Sequence, residues 1–134
     1  MRRCSTIEVW NETRSSYVCR SACLADTSIS RFIGLLGTTS LPEDGGLLIR
    51  PSAGVHTWGM RMSIDVLALD GQDRVLACYE NVGPWKLRGV GLHTKSVLEL
   101  PPGKIRLCAV AVGDQVRVRK AQERPAHDER SRVI

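Results

Sequence analysis

Four side chains within Val55–Asp70 (VHTWGMRMSIDVLALD) hold most of the chemistry available to this chain: His56, Trp58, Arg61 and Asp65. They interrupt a run otherwise built like buried β-structure. A polar group buried there without a partner costs about 1–3 kcal/mol, so each needs a partner or a task. Alternation along a strand places His56, Trp58 and Met60 on one side and Thr57 on the other. Asp65 opens the next strand and Arg61 lies in the bend between, near enough to pair if the bend is tight. In one reading Arg61–Asp65 clamps a corner and His56 satisfies a backbone carbonyl. In the other, His56, Trp58, Arg61 and Asp65 form a ligand-binding set, with the indole as apolar floor and Arg61 as anion handle. A metal held by His56, Asp65 and either His93 or Glu80 is the weakest reading, because these ligands lack metal-site spacing. No metal and no cofactor is expected.

Catalysis has less to build on. The chain has no G-x-S-x-G, no Walker loop and no H-E-x-x-H. A thiol nucleophile would need Cys78 or Cys108 beside His56. Glu43 and Asp44 sit in a loop and are read as solvating it. Trp85 and Lys86, with Arg88, are candidates for a flap over the site.

The elements that must carry these residues are mostly short strands. Thr6–Thr13 alternates around Ile7 and Val9, with Trp10 on the opposite face, and Tyr17–Leu24 reads as a second strand. Ile29, Phe32, Ile33 and Leu36 fall at helical spacing behind the N-cap candidates Thr27 and Ser28, with Gly37 as the stop. Gly45-Gly46 leads into a strand at Leu47–Ile49. Val55–Met60 and Ile64–Leu69 follow as strands, and Asp70-Gly71-Gln72-Asp73 turns the chain into Arg74–Val82, making 64–82 a hairpin. Trp85–Thr94 is Gly-rich and irregular. Ser96–Leu100 is a strand, Lys104–Val110 reads equally as helix or strand, and a last strand follows Asp114. From Lys120 the chain is polar and is expected to be a disordered tail.

At 134 residues the chain is about one domain, taken as 1–119 with the tail 120–134. The net charge of +5 invites a nucleic-acid partner, but residues 32–116 carry eight basic and eight acidic side chains, so the surplus lies outside the core. With only one Phe, two Tyr and three Trp, nucleic-acid binding is not expected. No apolar run approaches the roughly 18 residues that span a bilayer, so no membrane partner is expected either. The N-terminus lacks an apolar signal region, which makes cytoplasmic the default location. Cys4, Cys19, Cys23, Cys78 and Cys108 are an odd, scattered set, read as reduced small hydrophobes. The Cys19–Cys23 spacing is a weak metal signal without two further ligands.

The run from Arg31 to Leu76 resembles the signature of the uncharacterised DUF192 family. The likeness rests on Gly34-Leu35-Leu36, Leu41-Pro42, Gly46-Leu47-Leu48, His56-Thr57-Trp58-Gly59-Met60-Arg61 and Ile64-Asp65. It continues through Val97-Leu98-Glu99-Leu100, Gly103 and Val112-Gly113-Asp114, covering about residues 5–118. Met62-Ser63 stands where the family usually has an aromatic and then Pro, which loosens the turn before Asp65; Thr38 stands where it often has Arg. The resemblance implies a β-sandwich of jelly-roll type and supplies no reaction.

The expected fold is therefore mainly β, a jelly-roll-like sandwich or barrel with one or two short helices. Three functions stay open. The first is a binding module for a small anionic or sugar-like ligand at the His56–Asp65 block, in a monomer or weak dimer. The second is a partner-binding accessory protein in which His56, Arg61 and Asp65 are structural. The third is a hydrolase using His56 as base.

Overall fold

Alternation around Ile7 and Val9 becomes β1 (Ser5–Asn11), which pairs antiparallel with β2 (Ser16–Ala25). The computed structural model describes residues 4–26, 40–58 and 60–121. Further elements are β3 (Gly45–Ile49), β4 (Val55–His56), β5 (Ile64–Leu69), β6 (Val75–Val82), β7 (Leu87–Arg88), β8 (Ser96–Leu100), a short helix α1 (Lys104–Leu107) and β9 (Val116–Lys120). Seven strands form one sheet in the order β6-β5-β8-β3-β2-β1-β9, and β4 pairs with β7 in a separate ribbon. Among the described residues, only β2 and β3 pair in parallel within the sheet.

The sheet's two edges meet at one end. Val75 N–H donates to the Asp114 carbonyl, Gly113 N–H donates to the Val75 carbonyl, and Arg74 bridges Gln115. The result is a curled half-barrel. The Asp114 carboxylate fixes the seam, accepting from the Asn11 amide (2.9 Å), Arg14 Nε (2.9 Å) and Ala111 N–H (3.0 Å). Burial alone would raise this carboxyl, but those hydrogen bonds outweigh it and hold Asp114 below the usual carboxylate range. Within the curl lie Val9, Val18, Leu48, Leu67, Leu98 and Leu100, closed off by Ile105 of α1. The opposite face presents Leu47, Ile49, Ile64, Val66 and Val97, and the β4–β7 ribbon packs onto it through Val55 and Met60.

The fold is mainly β, as the pattern predicts, and the 64–82 hairpin forms as expected. Asp70 Oδ1 accepts from Gln72 N–H and Arg74 N–H to tighten its turn. The described strands form one curled sheet plus a ribbon, nearer the barrel than the sandwich of the two forms expected. Four expectations change. The strand expected over Val55–Met60 stops at His56, because the Thr57 carbonyl accepts from Met60 N–H and turns the chain, carrying Met60 inward. The irregular stretch 85–94 contains β7, and Lys120 belongs to β9 rather than to the tail. Finally, Cys4 and Cys23 are joined in a disulfide (Cα–Cα 5.4 Å), since the β1–β2 register sets Thr6 opposite Cys23 and Ser5 opposite Leu24. The five cysteines are thus not all free thiols. The helix expected over 29–36 and the tail beyond Ala121 lie outside the described residues. Lys104–Leu107 resolves as helix.

Candidate functional site

Thr57 organises the site from behind. Its buried hydroxyl donates to the Gly83 carbonyl (2.7 Å) and accepts from Lys86 N–H (2.8 Å). Its backbone N–H donates to the Lys86 carbonyl (2.8 Å), and its carbonyl accepts from Trp85 N–H (3.1 Å). The contact continues toward the N-terminal side of the segment: Val55 pairs with Arg88, Gly91 N–H donates to the Ala53 carbonyl, and Ser52 N–H donates to the Lys95 carbonyl. The Trp85–Lys86 segment, a candidate flap, lies beside the block just before its partner strand β7 and is hydrogen-bonded to Thr57. Thr57→Val removes both hydroxyl bonds and leaves Lys86 N–H and the Gly83 carbonyl short of a partner. We expect a loss of about 2–3 kcal/mol in urea unfolding.

With Thr57 turned inward, His56 and Trp58 face out. Their rings lie 5.2 Å apart at 39°. His56 pairs with Leu87, so Leu87 shares the outward face. Trp58 is 54% exposed and Trp85 71%, unusual for indoles in a small fold. Arg61 is exposed and, among the described residues, makes no ion pair. The Arg61–Asp65 clamp, one of the two readings of the block, is not among the ion pairs of the described residues. Asp65 is fully buried instead, and its carboxylate is committed elsewhere. Oδ1 accepts from Asn81 N–H (2.8 Å) and Oδ2 from Ile105 N–H (2.9 Å). The physical reason lies in strand alternation: Asp65 points to the α1 side of the sheet, away from the ribbon. The structure thus sets the Trp85–Lys86 backbone against Thr57, beside the His56–Trp58 pair, leaves Arg61 exposed just beyond the Thr57–Met60 turn, and sets Asp65 beneath.

No described carboxylate orients His56. Burial pushes the Cys78 and Cys108 thiols up, and Cys19 up to about 12, which lowers their thiolate content. Cys78 and Cys108 pack against the core within the curl, with Cys78 Sγ near the Val110 carbonyl and Cys108 Sγ near that of Val18. Among the described residues no three His, Cys, Asp or Glu gather as a metal set. Two shallow clefts flank the ribbon. One of about 260 Å³ lies between Ala68, Ala77, Tyr79 and the 89–94 loop; the other, about 280 Å³, lies against Pro51–Ala53 and Lys95. Neither includes His56 or Trp58.

Two residues escape the sequence reading. Alternation identifies Thr57 only as the inward residue of a strand. Glu99 enters only through the family resemblance, yet it sits 2% exposed in the middle of β8. Its registers place it in a row across the sheet with Cys23, Leu47, Val66 and Tyr79, and its Oε2 has no hydrogen-bond partner among the described residues. Burial pushes its carboxyl up to about 8. The signal that could find it is one acid inside the otherwise apolar strand SVLEL.

Residues 9–118 match DUF192, a family described as Uncharacterized ACR. A UPF0127 protein of Thermococcus sibiricus is 28% identical over 124 residues, covering 87% of this chain and 77% of its own. Another, from Thermococcus kodakarensis, is 29% identical over 118 residues, covering 85% and 74%. A protein of unknown function from Novosphingobium aromaticivorans has a similar structure, with a TM-score of 0.72 at 21% identity over 84% of this chain and 83% of its own. That likeness concerns the fold alone.

Proposed function

This chain belongs to the DUF192 family, and from that premise we propose that it is a binding module for a small anionic or sugar-like ligand. The ligand lies on the outward face of the β4–β7 ribbon. One observation carries this reading: two tryptophans stay exposed on a segment that buried Thr57 holds rigid from behind. Leaving that much aromatic surface in water forfeits burial worth about 25 cal/mol per Å², and a ligand is what recovers it. Trp58 and Trp85 offer flat apolar faces for a sugar ring, and His56 beside Trp58 adds a polar edge. Arg61 and Lys86 supply the positive charge for a phosphate or carboxylate. Asp65 serves the site from below, by fixing the start of β5 after the Arg61 bend. With no described carboxylate behind His56, its part is binding rather than proton abstraction.

Titration of the purified protein with sugars, sugar phosphates and small carboxylic acids tests this reading by calorimetry. Trp58→Ala, an exposed position, should leave the melting temperature within a degree or two of wild type and weaken the bound ligand about ten-fold or more. A ligand bound equally by wild type, Trp58→Ala and Arg61→Ala would place the site elsewhere.

A further inference from the structure

The outward face does not end at the ligand block. Beyond Trp85 and Leu87 the chain presents Val90, 65% exposed, and Leu92, 91% exposed, on a loop between β7 and β8. That loop is anchored rather than loose. Thr94 Oγ1 donates to the Gly89 carbonyl (2.7 Å), Gly91 N–H donates to the Ala53 carbonyl, and Val90 lies against Gly54. Five large apolar side chains thus project from two joined segments. The charges between them all have one sign. Residues 51–63 and 82–95 carry Arg61, Lys86, Arg88 and Lys95, together with His56 and His93, and contain no Asp or Glu. None of the four cations forms an ion pair with a described residue, although six other described cations do.

We propose that this face, Trp58 with Trp85–Lys95, docks on an anionic phospholipid surface. The inference rests on the reading of the ribbon as an anion-binding face and names the source of the anion as a lipid headgroup. The division of side chains favours that partner over others. Lipid phosphates answer the unpaired Lys and Arg, and indoles settle at the headgroup level. The aliphatic tips Leu87, Val90 and Leu92 enter the acyl boundary. A single-stranded nucleic acid or an acidic peptide would use the charge and the indoles but gives a 91%-exposed leucine nothing to bury into. Surface docking of this kind needs no spanning helix, and among the described residues none is long and apolar enough to cross a membrane.

Co-sedimentation of the full chain with vesicles is the test. Vesicles of phosphatidylcholine alone should bind weakly, and those containing phosphatidylglycerol strongly, with binding falling as salt rises. Lys86→Gln should lower partitioning about five-fold, the equivalent of about one surface cation. Leu92→Asp should lower it more than ten-fold while leaving the melting temperature unchanged, since that side chain is already in water. Equal binding to both vesicle types, or full binding by Leu92→Asp, overturns the lipid inference. So does binding of a single-stranded oligonucleotide or polyglutamate with no vesicle binding. If glycerol phosphate binds and requires Trp58 while vesicles do not bind, the lipid inference fails and the ligand site stands. If vesicles bind in the expected pattern while no small anion or sugar does, the lipid inference stands and the small-ligand assignment fails.

Discussion

Replacing Glu99 by Gln should stabilise the protein in mild alkali and remove most of a pH dependence that wild type displays between about pH 4.5 and 8. Glu99 lies in the centre of the outer apolar layer, with Leu47 and Val66 as lateral neighbours and no described partner for Oε2. Desolvation raises its carboxyl from an ordinary 4.5 to about 8. The sign follows from proton counting. Between those values the folded state keeps a proton that the unfolded state has released, so stability falls as pH rises. It is fully present below 4.5 and lost through 8, a total on the order of 5 kcal/mol. Gln keeps the shape and does not titrate. Urea unfolding at three pH values across this window should therefore give a steep slope for wild type and a nearly flat one for Glu99→Gln. Parallel slopes would contradict the assignment. The Asp114 effect has the opposite sign and a different window. Its carboxyl is held below the ordinary 3.8, so that part of the stability is lost only as pH falls below that value.

Asp65→Ala should be the most damaging substitution in the block, and its damage should be to stability. The carboxylate accepts from Asn81 N–H and Ile105 N–H, tying β5 to the end of β6 and to the first turn of α1. Alanine leaves both donors buried without partners, at about 1–3 kcal/mol each, and opens a small void as well. We expect a loss of about 4 kcal/mol in chemical unfolding, with Asp65→Asn losing roughly half because its amide oxygen retains one acceptor. Arg61→Ala should cost less than about 0.5 kcal/mol, as expected for an exposed side chain without a described ion-pair partner. A matched loss for Arg61→Ala and Asp65→Ala would restore the corner clamp between them.

Much of the fold is legible in the sequence because it is written in local rules. The period-2 run at Ile7–Val9, the Asp70–Asp73 turn and the start of β3 at Gly45-Gly46 each follow from neighbouring residues. The sheet order is not legible there. That the β6 and β9 edges meet depends on contacts such as Asp114 with Asn11, separated by 103 residues. Within the site, alternation places His56 and Trp58 outward and Thr57 inward, and it fails at Met60 because a turn begins at Thr57. Arg61 and Asp65 look like partners in sequence, yet two backbone N–H groups reach the carboxylate first. Glu99 escapes because an acid in an apolar strand reads as an edge residue unless the strand's neighbours are known. Here β3 and β5 flank it on both sides. The disulfide escapes for a like reason: Cys4 and Cys23 become neighbours only through the β1–β2 register.

The central claim is that the outward face of the ribbon binds a ligand, and the three indoles report on it directly. Trp10 packs edge-on against Tyr17 at 4.8 Å, on β1 and β2 of the main sheet, whereas Trp58 and Trp85 stand exposed beside His56 and Lys86. An amide and indole NMR titration against sugar phosphates, sugars and small acids should shift the Trp58 and Trp85 indole signals together and saturably, leaving Trp10 in place. Ligands that move Trp10 or the cleft residues Tyr79 and Ala77 while Trp58 and Trp85 stay fixed would contradict it.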